Sequence, residues 1–122
     1  MKTDSVIDIY KLPEVPNVCR QILREAWQSK NVSVAHVIMR PKEVSLSHKH
    51  MKFTELYYIL EGEGVMWLGE EKFGVKEGSL VEVRPNTAHK LENTGKSTLK
   101  HLVISTPAFS PDDVVLLEKA RE

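Results

Sequence analysis

From about residue 31 onward the chain breaks into short runs of β-branched and aromatic residues, with turn formers between them at close and regular intervals. That rhythm suits strands, leaves little room for helices, and predicts an all-β sandwich or barrel. The runs cover 32–39, 44–50, 56–60, 64–68, 71–76, 80–83, 89–93 and 99–105. Between them stand Arg40-Pro41-Lys42, Glu61-Gly62-Glu63-Gly64, Gly69-Glu70, Glu77-Gly78, Arg84-Pro85-Asn86 and Asn93-Thr94-Gly95, all turn-forming combinations. Two runs, Leu56-Tyr57-Tyr58-Ile59-Leu60 and Val65-Met66-Trp67-Leu68, are apolar on both parities. A one-layer barrel with a wet outside needs apolar residues on one face only. A second sheet or a partner subunit is therefore expected on the outer face, with a homodimer favoured.

The flanks read less clearly. Val18, Ile22, Leu23, Ala26 and Trp27 fall at helical spacing, but the run is short and poorly capped, so helix and strand both remain open. At the other end Ser110-Pro111-Asp112-Asp113 supplies an N-cap, a proline at the first helical position and two acids facing the dipole. A short closing helix over 111–120 is predicted. The expected organisation is an N-terminal flank (1–30), a barrel (31–106) and a tail with the short helix (107–122).

Charge and length exclude several classes. Lysine plus arginine (17) equals aspartate plus glutamate (17), so the basic excess that drives binding to nucleic acid is missing. The single cysteine, Cys19, makes neither an internal disulfide nor a cysteine zinc cluster, and residues 1–10 have no apolar signal core. No long apolar run suggests a membrane span, and the expected location is the cytoplasm. A chain of 122 residues buries roughly 65% of its surface on folding. It can fold without a metal, so a metal site here would serve function.

The chemistry concentrates in the histidines. In a strand, the side chains of His48 and His50 project from one face roughly 6.6 Å apart, close enough to converge on one ion. Glu55 and Gly62 extend the pattern to His48-x-His50-x4-Glu55-x6-Gly62, which this composition produces by chance roughly one time in a thousand. The segment 51–54 is long enough to turn into a neighbouring antiparallel strand and bring Glu55 back beside the pair. His89 follows the Pro85-Asn86 turn and begins a fresh strand. Three imidazoles and one carboxylate suit a divalent first-row metal (Fe, Mn, Ni, Co or Zn), with two of about six octahedral positions open.

With these residues the chain resembles the cupin family. The first cupin motif, Gly-x5-His-x-His-x3–4-Glu-x6-Gly, is matched from His48 to Gly62, with Lys42 in place of its opening glycine. The second, Gly-x5-Pro-x-Gly-x2-His-x3-Asn, is matched at Gly78, His89 and Asn93, with Arg84 and Asn86 in place of its proline and second glycine. Asparagine tolerates left-handed backbone, and none of the departures touches a ligand position. The run from Thr106 to Asp113 also resembles the tail of many small single-domain cupins. The resemblance implies a double-stranded β-helix (jelly-roll) barrel, usually dimeric, with metal held by His48, His50, Glu55 and His89. It also favours strand for residues 20–24. It implies little about the reaction, because cupins include dioxygenases, isomerases, epimerases, cyclases, decarboxylases and simple binders.

Parity sorts the neighbours: if Glu55 points inward, so do Tyr57 and Ile59, and Leu91 follows His89. Tyr57 is either a substrate-orienting hydroxyl or a buried tyrosine satisfied by backbone. Met39, Met66, Leu68, Phe73 and Val83 are expected to wall the pocket. His36 and His101 lie outside both motifs and are candidates for general base or second donor, against the plainer reading of packed histidines. Arg84 either holds an anionic substrate group at the site mouth or is solvated. Cys19, Trp27 and Trp67 read as packing residues.

The leading functional expectation is a metal-dependent enzyme acting on a small substrate that chelates through oxygen, of dioxygenase, isomerase or cyclase type. A sugar-phosphate isomerase is disfavoured, since no lysine and arginine cluster would hold the phosphate. The alternatives are a non-catalytic barrel that binds a small ligand, and a barrel whose metal is structural.

Overall fold

The computed structural model describes residues 5–118. Ten strands form two antiparallel sheets. The first orders β1 (Ile22–Gln28), β2 (Ser33–Met39), β9 (Leu99–Thr106), β4 (Thr54–Glu61) and β7 (Leu80–Val83). The second orders β10 (Val115–Leu116), β3 (His48–Lys49), β8 (His89–Glu92), β5 (Glu63–Leu68) and β6 (Glu71–Lys76). Alternate residues point into the space between the sheets. Val37, Met39, Tyr57, Ile59 and Leu99 of the first sheet pack with Met66, Val75 and Leu91 of the second in one buried cluster. The all-β expectation holds, and each sheet covers one face of the other. No helix among the described residues is long and apolar enough to cross a membrane.

Turn chemistry explains how the strands change sheets. Gly62, at φ +90°, passes the chain from β4 to β5, and a Cβ there would lie 2.6 Å from the Thr98 carbonyl oxygen. Lys42 and Asn86, which replace motif glycines, both adopt left-handed backbone at φ 71° and 62°. The turns demand the conformation rather than the residue, and asparagine accommodates it more readily than lysine.

The predicted C-terminal helix is absent from the described residues; positions 119–120 of that run lie outside them. Pro111–Asp113 makes a single 3-10 turn, and Ser110 gives no side-chain cap. The chain then extends as β10 along β3, with Val115 opposite Lys49 and Leu116 opposite His48. An unpaired edge of β3 offers partners that a short isolated helix lacks, and β-branched Val114 and Val115 favour extended backbone.

Two further differences come from irregular pairing. The run 44–50 is regular strand only at His48–Lys49, with a lone bridge from Val44 to Glu92. In the N-terminal flank the register slips between Glu25 and Trp27 of β1. A bulge adds one residue to the two-residue alternation, which makes the apolar spacing mimic a helix. The strand reading of 20–24 holds from Ile22 onward, while Arg20 takes left-handed backbone at φ 56° before β1 begins. Outside the first sheet, Tyr10 packs edge-on against His36 at 5.4 Å, between Arg24 and Lys100.

Candidate metal centre

Three parts of the barrel deliver the expected ligands: β3 and the residue after it, β8, and β4. Pairing of β3 with β8 sets His48 opposite His89, and His50 follows directly after β3. Glu55 arrives from the facing sheet, on β4, rather than from a neighbouring strand. Both edges of β3 are already taken by β8 and β10, so the segment 51–54 crosses the barrel instead of turning back. The donor atoms of His48, His50, Glu55 and His89 all lie within 4.8 Å of one another.

The histidines are oriented by main-chain carbonyls. His48 Nδ1–H donates to Leu46 at 2.7 Å, His50 Nδ1–H to Asp113 at 2.7 Å, and His89 Nδ1–H to Thr87 at 2.9 Å. A carbonyl only accepts, so each ring keeps its proton on Nδ1 and aims an Nε2 lone pair at the common centre. Glu55 Oε1 stands 3.1 Å from His89 Nε2 and 3.3 Å from His50 Nε2. Ser105 Oγ–H donates to the other oxygen at 3.4 Å. Lone pairs of neutral imidazole and carboxylate face each other here, and His50 Nε2 is buried without an aligned hydrogen-bond partner. Only positive charge, a proton or a cation, makes this arrangement favourable. The nitrogen and oxygen donor set fits a divalent first-row metal.

Electrostatics agree with that geometry. Burial, with His89 and His50 alongside, pushes His48 down to about 4. Burial alone would raise Glu55, but the His50 and His89 rings against its carboxylate, when protonated, bring it down to about 2. His50 is raised, because Glu55 and the Asp113 carbonyl outweigh its burial. Phe53 stacks on His50 at 4.4 Å and Phe109 meets its edge at 6.0 Å, walling that ligand with apolar surface.

The cluster lies against a cavity of about 260 Å³. Tyr57 and His101 line it, their rings stacked 5.4 Å apart, and Tyr57 meets His89 edge-on at 5.8 Å. Burial, reinforced by Glu55, lifts the Tyr57 hydroxyl well above its usual range. His101 is buried with its Nδ1 unpartnered, and burial pushes it down to about 3. The parity expectation holds: Tyr57, Ile59 and Leu91 are all buried.

Other candidates fall elsewhere. His36 lies on the outer face, under Tyr10, and does not line the cavity. Of the expected wall residues only Met39 borders the cavity. Met66 and Val83 fill the core, Leu68 packs against it, and Phe73, on the edge strand β6, is 44% exposed. Arg84 is solvated and pairs with Glu82 at 3.2 Å, away from the lining. Cys19 does border the cavity, and its Sγ accepts a hydrogen bond from the Leu46 N–H at 3.3 Å. Trp27 also borders it, half exposed, while Trp67 sits between Lys72 and Lys90 on the outside.

Sequence reasoning missed Ser105, Asp113 and Glu25. Ser105 meets Glu55 only through the pairing of β4 with β9. Asp113 reaches the centre from 63 residues away, and the bulge in β1 disguised the strand that turns Glu25 toward the cavity. None of the three has a local signature.

Comparison with known proteins agrees with this architecture. An uncharacterized protein of Methanocaldococcus jannaschii is 40% identical over 103 residues, spanning 84% of this chain and 82% of that protein. An oxalate-binding protein of Thermotoga maritima is 32% identical over 81 residues, 66% of this chain and 67% of its own. Among solved structures, Streptomyces PAC13 with uridine superposes with a TM-score of 0.81 at 18% identity, over 98% of this chain and 95% of that one. The family profile for the cupin domain matches residues 35–105, and the chain belongs to the cupin family.

Proposed function

We propose that the chain is a metal-dependent enzyme acting on a small substrate that chelates the metal through one or two oxygens. The observation that supports this most directly is the convergence of three Nε2 lone pairs and the Glu55 carboxylate beside a cavity. His48, His50, Glu55 and His89 would hold Fe, Mn, Ni, Co or Zn. Bound there, the metal would supply Lewis acidity, or redox chemistry in the case of iron. The protein's own groups do the rest. Apolar walls exclude water, the Tyr57 hydroxyl stays protonated and can donate to a substrate oxygen, and neutral His101 can hold a second polar group.

A dioxygenase, an isomerase and a cyclase all fit this site. A neighbour described as a nucleoside dehydratase shares the fold at 18% identity, which leaves the reaction open. A non-catalytic ligand-binding barrel is the second reading, favoured by the relative described as an oxalate-binding protein. Apolar residues outside the first sheet, with Tyr58 39% and Leu80 61% exposed, support a homodimer built on that face.

The test is elemental analysis followed by a turnover screen run with and without oxygen. About one first-row metal per chain, with turnover lost in Tyr57→Phe or His101→Gln but metal retained, supports an enzyme. Metal that never approaches stoichiometry after reloading overturns the ligand assignment. Tight ligand binding without turnover in any condition favours the binding barrel.

A further inference from the structure

The cavity has an uneven charge. Among its described lining residues there is no lysine or arginine, whereas two carboxylates, Glu25 and Glu55, border it. Glu55 belongs to the metal cluster. Glu25 sits on the edge strand opposite Ala35, which in turn pairs with Val103, and all three line the cavity. Among the described residues none of the ion pairs includes Glu25. Across the sheet from Glu25 toward Glu55 lie Ala35 and Val103, and then Ser33 and Ser105 in the row of Glu55, none of them charged.

A chelating substrate head offsets the positive charge left when three neutral imidazoles and one carboxylate hold a divalent ion. Nothing lining the cavity does the same for a second anionic group. Such a group would lose water, gain no cation and face Glu25, and each of these opposes binding. We infer that the substrate is a small chelating molecule whose body beyond the metal-binding oxygens is uncharged or cationic, and that Glu25 is the residue that selects against anionic bodies. Phosphorylated compounds and chelators with a carboxylate on the body are thereby disfavoured. This inference rests on the metal-chelation reading above and adds to it the chemistry of the substrate's far end.

The experiment titrates zinc-loaded full-length protein, calorimetrically and under anaerobic conditions, with three catechols that share one chelating head. These are 4-methylcatechol (neutral body), dopamine (ammonium) and 3,4-dihydroxybenzoate (carboxylate). The neutral and cationic probes should bind at least about tenfold more tightly than the anionic one, the combined size expected for a carboxylate that loses water without gaining a cation and for the partly screened charge of exposed Glu25. Glu25→Gln, an exposed position on an edge strand, should shrink that ratio to about threefold or less without changing zinc content. Equal or tighter binding of 3,4-dihydroxybenzoate, or a ratio untouched by Glu25→Gln, overturns the inference while chelation stands. Failure of all three probes on zinc-loaded protein, or equal binding to metal-free protein, overturns the chelation reading itself.

Discussion

His50 Nδ1–H donates to the main-chain carbonyl of Asp113, 2.7 Å away and 63 residues further along the chain. The Asp113 carboxylate accepts the amides of Met51 at 3.0 Å and Lys52 at 2.8 Å. One residue of the C-terminal turn therefore orients a ligand ring and clamps the loop that follows it. Those two amides also hold the Asp113 carboxyl below its usual range.

Asp113→Ala keeps the carbonyl but frees the loop. Metal affinity is expected to fall about tenfold, the usual scale for groups that orient metal ligands, with secondary structure unchanged. Competition against a chromogenic chelator measures the affinity, and circular dichroism checks the fold. Unchanged affinity would show that β10 pairing alone positions His50.

Removal of a ligand acts more strongly. His50→Ala or His89→Ala should lower metal affinity by well over tenfold while the barrel stays folded, because the core of both sheets forms without these rings. Thermal melts with and without chelator give the comparison. A variant that fails to fold moves the metal to a structural role.

His101 gives stability a pH dependence. Its folded-state pKa is depressed to about 3, with burial as the main cause, His36 adding to it and Glu55 opposing. An unfolded histidine titrates near 6.5. The stabilisation is complete above about pH 6.5 and is lost as pH falls toward 3, because only the unfolded chain takes up the proton in that window. Through it, the folding equilibrium constant contributed by this residue drops about tenfold per pH unit. Urea unfolding of metal-free wild type and His101→Phe between pH 7 and 4.5 should show the shallower fall in the variant; parallel curves contradict the assignment.

Gly62 and Gly69 separate strain from collision. Both have positive φ, but a Cβ on Gly62 would meet Thr98 oxygen at 2.6 Å and Leu99 Cα at 2.9 Å, whereas Gly69 has open space. Gly69→Ala should cost about 1–2 kcal/mol from left-handed backbone alone. Gly62→Ala should exceed about 3 kcal/mol, since neither backbone contact can swing away. Chemical denaturation of the two variants makes the comparison.

Much of the barrel was legible because its strands obey local rules. The runs 71–76 and 80–83 coincide with β6 and β7, and 99–105 with all but the last residue of β9. Inward parity placed Tyr57 and Leu91 correctly from Glu55 and His89. The tail misled, because Ser110-Pro111-Asp112-Asp113 satisfies every local condition for a helix start while Asp113 is engaged by the amides after His50. Spacing around Trp27 left helix and strand open, because the bulge in β1 interrupts the alternation that would have marked a strand.

Sequence alone determined the all-β fold class, nominated His48, His50, Glu55 and His89 as a candidate donor set, and marked the Asn86 turn as one that takes left-handed backbone, since each depends on neighbours a few residues apart or on side-chain chemistry. Tertiary structure decided that Glu55 faces the histidines from the opposite sheet, that His101 borders the cavity while His36 lies outside, and that Asp113 supports His50. These follow from pairing between strands distant in the chain. Pairing is chosen by which edges remain free and which faces must be buried, and no local spacing records that choice.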